Sequence, residues 1–237
     1  IVHVVVDTYP SDAGSDAWVY EKHQRNSIIE GLKECSGEDL IMVSDVDEIP
    51  RPEKVLEAAT QSGIRIFRQR MFYYFLNSLN VTVRIGENYA WNGTVMAQRK
   101  EIREGVQELR ELGRLMESRF HPKFVNRVYW WLRTTLVLLK RGTKATHIPN
   151  GGWHFSYLGG VDRIIQKIES FAHAEYNEPK YKDRAALEKA IAAGEDIFGR
   201  DFQYASIPID STFPQYIQHN KARFPHLIAT TAQDKLP

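Results

Sequence analysis

The sequence predicts an α/β fold, with a mixed, mostly parallel sheet flanked by helices. Two observations carry this. Short apolar runs closed by turn residues, at 1–6 and 40–43, read as strands buried on both faces. Longer stretches with apolar residues at helical spacing alternate with them. The 237 residues suffice for one domain with a substantial core. No internal repeat, low-complexity stretch or linker interrupts them, so 1–237 is expected to be a single domain.

The most informative stretch is 40–53. Leu40, Ile41, Met42 and Val43 run into Asp45, Asp47 and Glu48, and Pro50 and Pro52 stop the run. Its polar end is expected at the carboxyl edge of the sheet, where open α/β sheets bind ligands. Asp45 and Asp47 stand two apart, so on an extended backbone they project to one side. Two carboxylates so placed repel unless a proton or cation sits between them. A hard divalent ion with oxygen ligands resolves this most simply. The competing reading is a polar turn that caps the helix opening near Pro52.

Taken in order, 1–6 reads as a buried strand ending at Asp7, and 8–15 as a Pro/Ser/Gly loop. A helix over 16–34 places Trp18, Arg25 and Leu32, seven apart, on nearly one face. Arg25 then lies in an apolar stripe and needs an anionic partner. Asp7, Asp45 and a substrate phosphate all qualify. A helix from Pro52 buries Val55, Leu56 and Ala59 and stops by Gly63. Residues 64–68 alternate like a strand, 72–75 continue as an aromatic strand, and a further strand is expected over 89–96. The aromatic clusters read first as core and second as platforms for sugar rings. A charged, exposed helix over 101–116 keeps Val106, Leu109, Leu112 and Leu115 on its apolar side.

Residues 119–147 hold Arg119, Lys123, Arg127, Arg133, Lys140, Arg141 and Lys144 and no acid. Aromatic and aliphatic residues sit between them. One reading is an amphipathic helix in peripheral contact with an anionic membrane surface. The preferred one is a partly buried helix whose basic side faces solvent or an anionic substrate. Next, Gly151-Gly152 and Gly159-Gly160 bracket Trp153, His154, Phe155 and Ser156. This reads as a short strand or loop built for a site, against a hairpin with a core Trp. A helix over 161–176 carries Ile164, Ile168 and Phe171, and Glu175 extends that stripe. Its carboxyl is therefore expected to be desolvated, with a raised pKa suited to a general base. A salt-bridged acid at a helix end is the other reading. A helix over 183–193 stopped by Gly194, an extended segment over 202–208 and a helix over 215–223 complete the chain.

Thirty-one basic and thirty acidic residues nearly cancel, so nothing global argues for a nucleic-acid partner. The single cysteine, Cys35, allows no intramolecular disulfide and fits a reducing compartment. No apolar run approaches the ~20 residues needed to span a bilayer. The chain opens directly on an apolar run without Met, so upstream sequence is expected before Ile1. Asn80-Val81-Thr82 and Asn92-Gly93-Thr94 are formal glycosylation sequons.

Three stretches together resemble glycosyltransferase family 17, the family of β-1,4-mannosyl-glycoprotein β-1,4-N-acetylglucosaminyltransferases. They are His3-Val4-Val5-Val6-Asp7 with Gln24-Arg25-Asn26; Val43 through Asp45, Asp47 and Glu48 to Pro50; and Gly152-Trp153-His154-Phe155-Ser156 with Lys167, Ser170 and Glu175. Phe213-Pro214-Gln215-Tyr216-Ile217 with Arg223-Phe224 is a weaker echo. The resemblance implies a GT-A-like fold, a nucleotide-sugar donor such as UDP-N-acetylglucosamine, a glycan acceptor and inversion at the anomeric carbon. It implies a divalent cation, Mn²⁺ or Mg²⁺, held at Asp45 and Asp47 on the donor diphosphate. It also implies a first strand of the nucleotide pocket ahead of Ile1. The simpler microbial-type members are the better match. Cytoplasm or a peripheral membrane site follows if the source is microbial, and the Golgi lumen if it is eukaryotic. On this footing Arg25, Asp45, Trp153 and His154 are the donor-binding candidates. Glu175 is the first choice for the base, Glu48 the second and Asp196 the third. Two rivals stand beside this reading. One is a haloacid-dehalogenase-type phosphatase with Asp45 as nucleophile and Asp47 as acid/base. The other is a carbohydrate-binding domain without catalysis.

Overall fold

A computed structural model describes residues 1–10, 14, 16–84, 87–118, 121 and 123–231. Ser11, Ser15 and Arg119, which the sequence reading used, lie outside the described residues. The fold class is α/β, with a mixed sheet flanked by helices. In chain order the main elements are α1 (Ala17–Ser27), β1 (Leu40–Val43), β2 (Glu48–Pro50), α2 (Pro52–Ala59), β3 (Ile64–Tyr73), β4 (Ser78–Asn80), β5 (Val83–Arg84), β6 (Glu87–Asn88) and β7 (Ala90–Gln98). Then come α3 (Gln107–Glu117), α4 (Phe124–Arg141), β8 (Ala145–Ser156), α5 (Val161–Ser170), α6 (Arg184–Ala193), β9 (Tyr204–Ser206) and α7 (Gln215–His219). The chain divides into two compact units. The first takes Ile1–Gln69 and Trp91–Gly152; the second takes Arg70–Ala90 and the chain from Trp153 onward.

In the first unit β1 pairs antiparallel with β7, Leu40 opposite Gln98 and Val43 opposite Val95. The sheet is therefore mixed rather than mostly parallel. Burial along β1 does not distinguish the two arrangements. Ile41 and Val43 are buried, while Leu40 is exposed and Met42 is only partly covered. A run of four apolar residues satisfies both the one-faced and the two-faced pattern, and here Met42 packs against Ala58, Phe67 and Met96 on the face opposite Ile41 and Val43. Residues 1–10 form neither helix nor strand, and Ile1, Val2 and Val5 are exposed. The run has strand composition, but among the described residues no strand pairs with it. A strand without a ladder leaves its backbone groups to water.

Helix α1 opens on Asp16, whose side chain accepts from the Trp18 N–H at 2.9 Å. It runs on as a 3₁₀ turn over Ile28–Leu32. Helix α2 starts at Pro52 as expected, but it buries Ala58 and leaves Leu56 exposed. Strand β3 is covered on both faces, so Arg65 has no exposed surface instead of facing water. It donates to the Gly63 carbonyl, and burial holds its pKa below the ordinary value, with Glu101 opposing. Ile41, Val43, Ile66, Val95, Leu109 and Leu112 form the main core. Burying a leucine there contributes about 2 kcal/mol. Helix propensity differs by only tenths of a kcal/mol between ordinary residues, so packing places α3.

Helix α4 packs Val137 and Leu138 against this core, with Thr134 buried. Its outward side is apolar: Phe124, Val125, Leu136 and Leu139 are all exposed. The helix is partly buried with Lys123, Arg133 and Lys140 exposed, as the preferred expectation has it, but an apolar arc is exposed beside them. Strand β8 absorbs the glycine-rich stretch expected to be a short strand or loop. Gly152 has φ +146°, and a Cβ there would lie 2.1 Å from the Ile49 carbonyl oxygen. The glycine is needed for the close pairing of β8 with β2.

In the second unit Phe72 of β3 opposes Leu79 of β4, and β4 pairs antiparallel with β9. Phe72, Trp153, Phe155, Phe213 and Ile217 form its core. Helix α5 stops at Ser170, short of the expected Tyr176. The Ser170 hydroxyl donates back to the Gln166 carbonyl at 2.9 Å. Such back-bonding is neutral to unfavourable within a helix. Helix α6 begins at the Asp183 cap and ends on Gly194 at φ +67°, as its sequence indicates.

Candidate functional site

The acidic motif does not continue β1. Ser44 to Asp47 leave the strand, and the Glu48 N–H donates to the Asp45 carbonyl at 3.0 Å, closing a turn. The alternate-residue geometry expected of an extended backbone is thus replaced by a turn at the carboxyl end of β1. Val46 stands at the exposed tip, and Asp45 and Asp47 are partly exposed beside it. Glu48 points inward, and its side chain has no exposed surface. Beneath the turn the Ser44 and Thr94 hydroxyls lie 2.7 Å apart.

Glu48 is enclosed by donors. The Trp91 indole N–H donates to Oε1 at 2.7 Å, and the Asp45 N–H to Oε2 at 3.2 Å. Arg110 of α3 grips both oxygens, Nη2 to Oε1 at 2.7 Å and Nη1 to Oε2 at 2.9 Å. This is the two-pronged geometry that suits a guanidinium. The same Nη2 donates to Asp45 Oδ2 at 2.9 Å, and Nη1 also donates to the Gly93 carbonyl at 2.6 Å. Burial works to lower the Arg110 pKa. The charges of Glu48, Asp45 and Asp47 outweigh it and hold the guanidinium above its ordinary value.

Arg25 approaches Asp45 from the other side, Nη2 to Oδ1 at 3.3 Å. Its Nη1 donates to Glu21 at 2.9 Å and to Gln107 at 2.6 Å. Of the partners proposed for Arg25, the structure pairs it with Asp45; Asp7 is exposed on the amino-terminal segment. Asp45 is thereby held between two guanidinium groups. Three carboxylates on the turn face two arginines, so the cluster keeps a formal negative charge. A hard cation suits oxygen donors of this kind. Asp47, partly exposed at the turn beside Asp45, is the candidate donor that solvent reaches.

Sequence reasoning missed Arg110, Trp91 and Gln107. Arg110 was legible by the argument that found Arg25. It stands four after Val106 and one after Leu109, both fully buried, inside the apolar stripe of its helix.

The remaining candidates belong to the second unit. Trp153 is buried in its core and donates its indole N–H to the Thr212 carbonyl at 3.0 Å. His154 is buried with its ring 6.4 Å from that of Tyr73. Glu175 does not extend α5. It lies on a separate 3₁₀ turn, Ala174–Tyr176, and is exposed. His173 Nδ1 sits 2.6 Å from its carboxylate. That hydrogen bond holds the Glu175 carboxyl below the usual carboxylate range, not above it. Asp196 is buried and gripped by Arg200, Nη2 to Oδ1 at 2.6 Å. Both sequon asparagines, Asn80 and Asn92, are buried, so neither amide is presented for modification in the folded chain.

No protein-family model, curated protein or solved structure matches the chain.

Proposed function

We propose that the chain is an inverting, metal-dependent glycosyltransferase. On this reading it moves N-acetylglucosamine from UDP-N-acetylglucosamine to a glycan hydroxyl. One observation carries the reading: an acidic turn at the carboxyl end of an apolar strand, with Asp45 held between Arg25 and Arg110. Departure of a nucleoside diphosphate builds negative charge on the leaving group. Asp47 would hold the divalent cation, and Asp45 would support it; a bound cation supplies Lewis acidity to the diphosphate. Arg25 adds positive charge beside it. Arg110 keeps Asp45 in place and is itself kept in place by Glu48, which makes Glu48 a positioning residue and not the base. Inversion also requires a base for the acceptor hydroxyl. Glu175, whose carboxyl the His173 hydrogen bond holds below the usual carboxylate range, is the residue to test in that role. Trp153 and His154 are buried, so they receive no direct donor contact.

The clamp on Asp45 weighs against the phosphatase rival, because a carboxylate bonded to two guanidinium groups is a poor nucleophile. Titration calorimetry with UDP, with and without Mn²⁺, tests the proposal. Asp47→Ala is expected to remove the Mn²⁺-dependent part of UDP binding; unchanged affinity rejects the site. In the same protein Glu175→Gln is expected to keep UDP affinity and lose transfer. Normal turnover by that variant would reject the base alone.

A further inference from the structure

The outward face of α4 has no role in the acidic cluster, and among the described residues this helix carries more exposed large apolar side chains than any other. Phe124, Val125, Tyr129, Leu132, Leu136 and Leu139 are each about half exposed or more. At 3.6 residues per turn they fall in a single arc of about half the helix circumference. Val128 and Trp131 lie in the same arc and are exposed too. Contiguous apolar patches of this kind mark a binding surface. The arc is bordered by cations. Arg133 and Lys140 flank one side, and Arg127 the other, its guanidinium 5.4 Å from the Phe124 ring centre. Lys123 and Lys144 stand exposed at the two ends. No Asp or Glu occurs between Glu117 and Asp162.

We infer that α4 is a peripheral anchor that lies flat on an anionic lipid bilayer. The apolar arc would enter the boundary between headgroups and acyl chains. Tyr129 and Trp131 suit that depth, with an apolar ring and a polar tip. The bordering arginines and lysines would meet anionic headgroups. The helix lies on the bilayer and does not cross it: no helix of the described residues is long and apolar enough to span a membrane. Charge decides between this partner and a second copy of the chain. Pairing α4 with itself would bring its two basic borders together with no acid between them, whereas an anionic surface complements both borders.

The test uses the full chain and does not depend on any transferase activity. Vesicles of phosphatidylcholine doped with phosphatidylglycerol, and vesicles of phosphatidylcholine alone, are pelleted with the protein at low and high salt. The chain is expected to sediment with the anionic vesicles at low salt, and its tryptophan emission to shift to the blue. The double variant Leu132→Glu/Leu136→Glu changes only exposed positions and is expected to weaken partitioning by about tenfold or more. Arg133→Glu/Lys140→Glu is expected to abolish the preference for anionic over neutral vesicles. Far-UV circular dichroism checks that both variants keep their helices. Absence of binding to anionic vesicles at low salt overturns the inference. So does unchanged partitioning of the Leu132/Leu136 variant. Self-association in sedimentation velocity that this variant abolishes, without vesicle binding by the parent, assigns the face to a second copy instead.

Discussion

Arg110 and Glu48 form the most consequential pair at the scale of single residues. Both side chains are almost fully withdrawn from water, and each satisfies the other. Such a pair is weak evidence for net stability, because desolvation offsets much of the attraction. Breaking it from one side is different, since a charge is then left buried alone. Arg110→Met is expected to cost about 3–5 kcal/mol in urea unfolding. Glu48→Leu combined with Arg110→Met is expected to recover most of that loss. A single-variant cost under about 1 kcal/mol would show that water reaches Glu48 and that the clamp is not structural. Asp45 was visible in the sequence as an acid after a strand. Its pairing with Arg110 was not, because the two lie far apart in the chain and meet only when α3 packs on the sheet.

At the scale of elements, α3 and α4 are tied by charge as well as by core packing. Arg141, in the last turn of α4, donates to Glu108 at 2.8 Å. Burial pushes the Glu108 carboxyl upward. The Arg141 hydrogen bond and the backbone N–H groups of Arg103 and Glu104 outweigh it and hold the pKa below its ordinary value. A carboxyl depressed in the folded state adds stability above its unfolded pKa of about 4.3 and loses it as pH falls through the folded value. Glu108→Gln is therefore expected to be less stable than the parent at neutral pH. Its urea midpoint should also fall less steeply below about pH 4.5. Parallel acid profiles would refute the assignment. The helices themselves were largely legible. Asp183 and Gly194 delimit α6, Pro52 opens α2, and the stripe of Leu109 and Leu112 faces the core. Helix α5 was overextended, because the Ile164, Ile168 and Phe171 periodicity continues past the point where the Ser170 hydroxyl turns back on the backbone.

At the scale of the whole molecule, the tyrosines report unfolding of the second unit. Tyr74, Tyr157 and Tyr204 are buried in the second unit. Burial, with Asp196 beside Tyr74 and Tyr73 beside the other two, pushes their pKa values well above the ordinary phenol range. The folded chain therefore binds more protons than the unfolded chain above about pH 10, and stability falls as pH rises there. In an alkaline absorbance titration, these three of the eleven tyrosines are expected to ionise only as ellipticity is lost. Complete phenolate formation in a chain that stays folded would contradict their burial.

Periodicity and punctuation determined the α/β class and most of the helices. They also located the acidic stretch, because spacing and turn chemistry act over a few residues. Tertiary structure decided the rest. An apolar run of four does not encode whether its neighbour is parallel or antiparallel, and only tertiary structure gave β1 the antiparallel partner β7. The run 1–6 shows that strand composition without a pairing neighbour gives no strand. Glu175 was placed inward by a periodicity that the chain abandons at Ser170. Asp45 gained its two guanidinium partners only from α1 and α3, since a buried charge is specified by what surrounds it and not by its place in the chain.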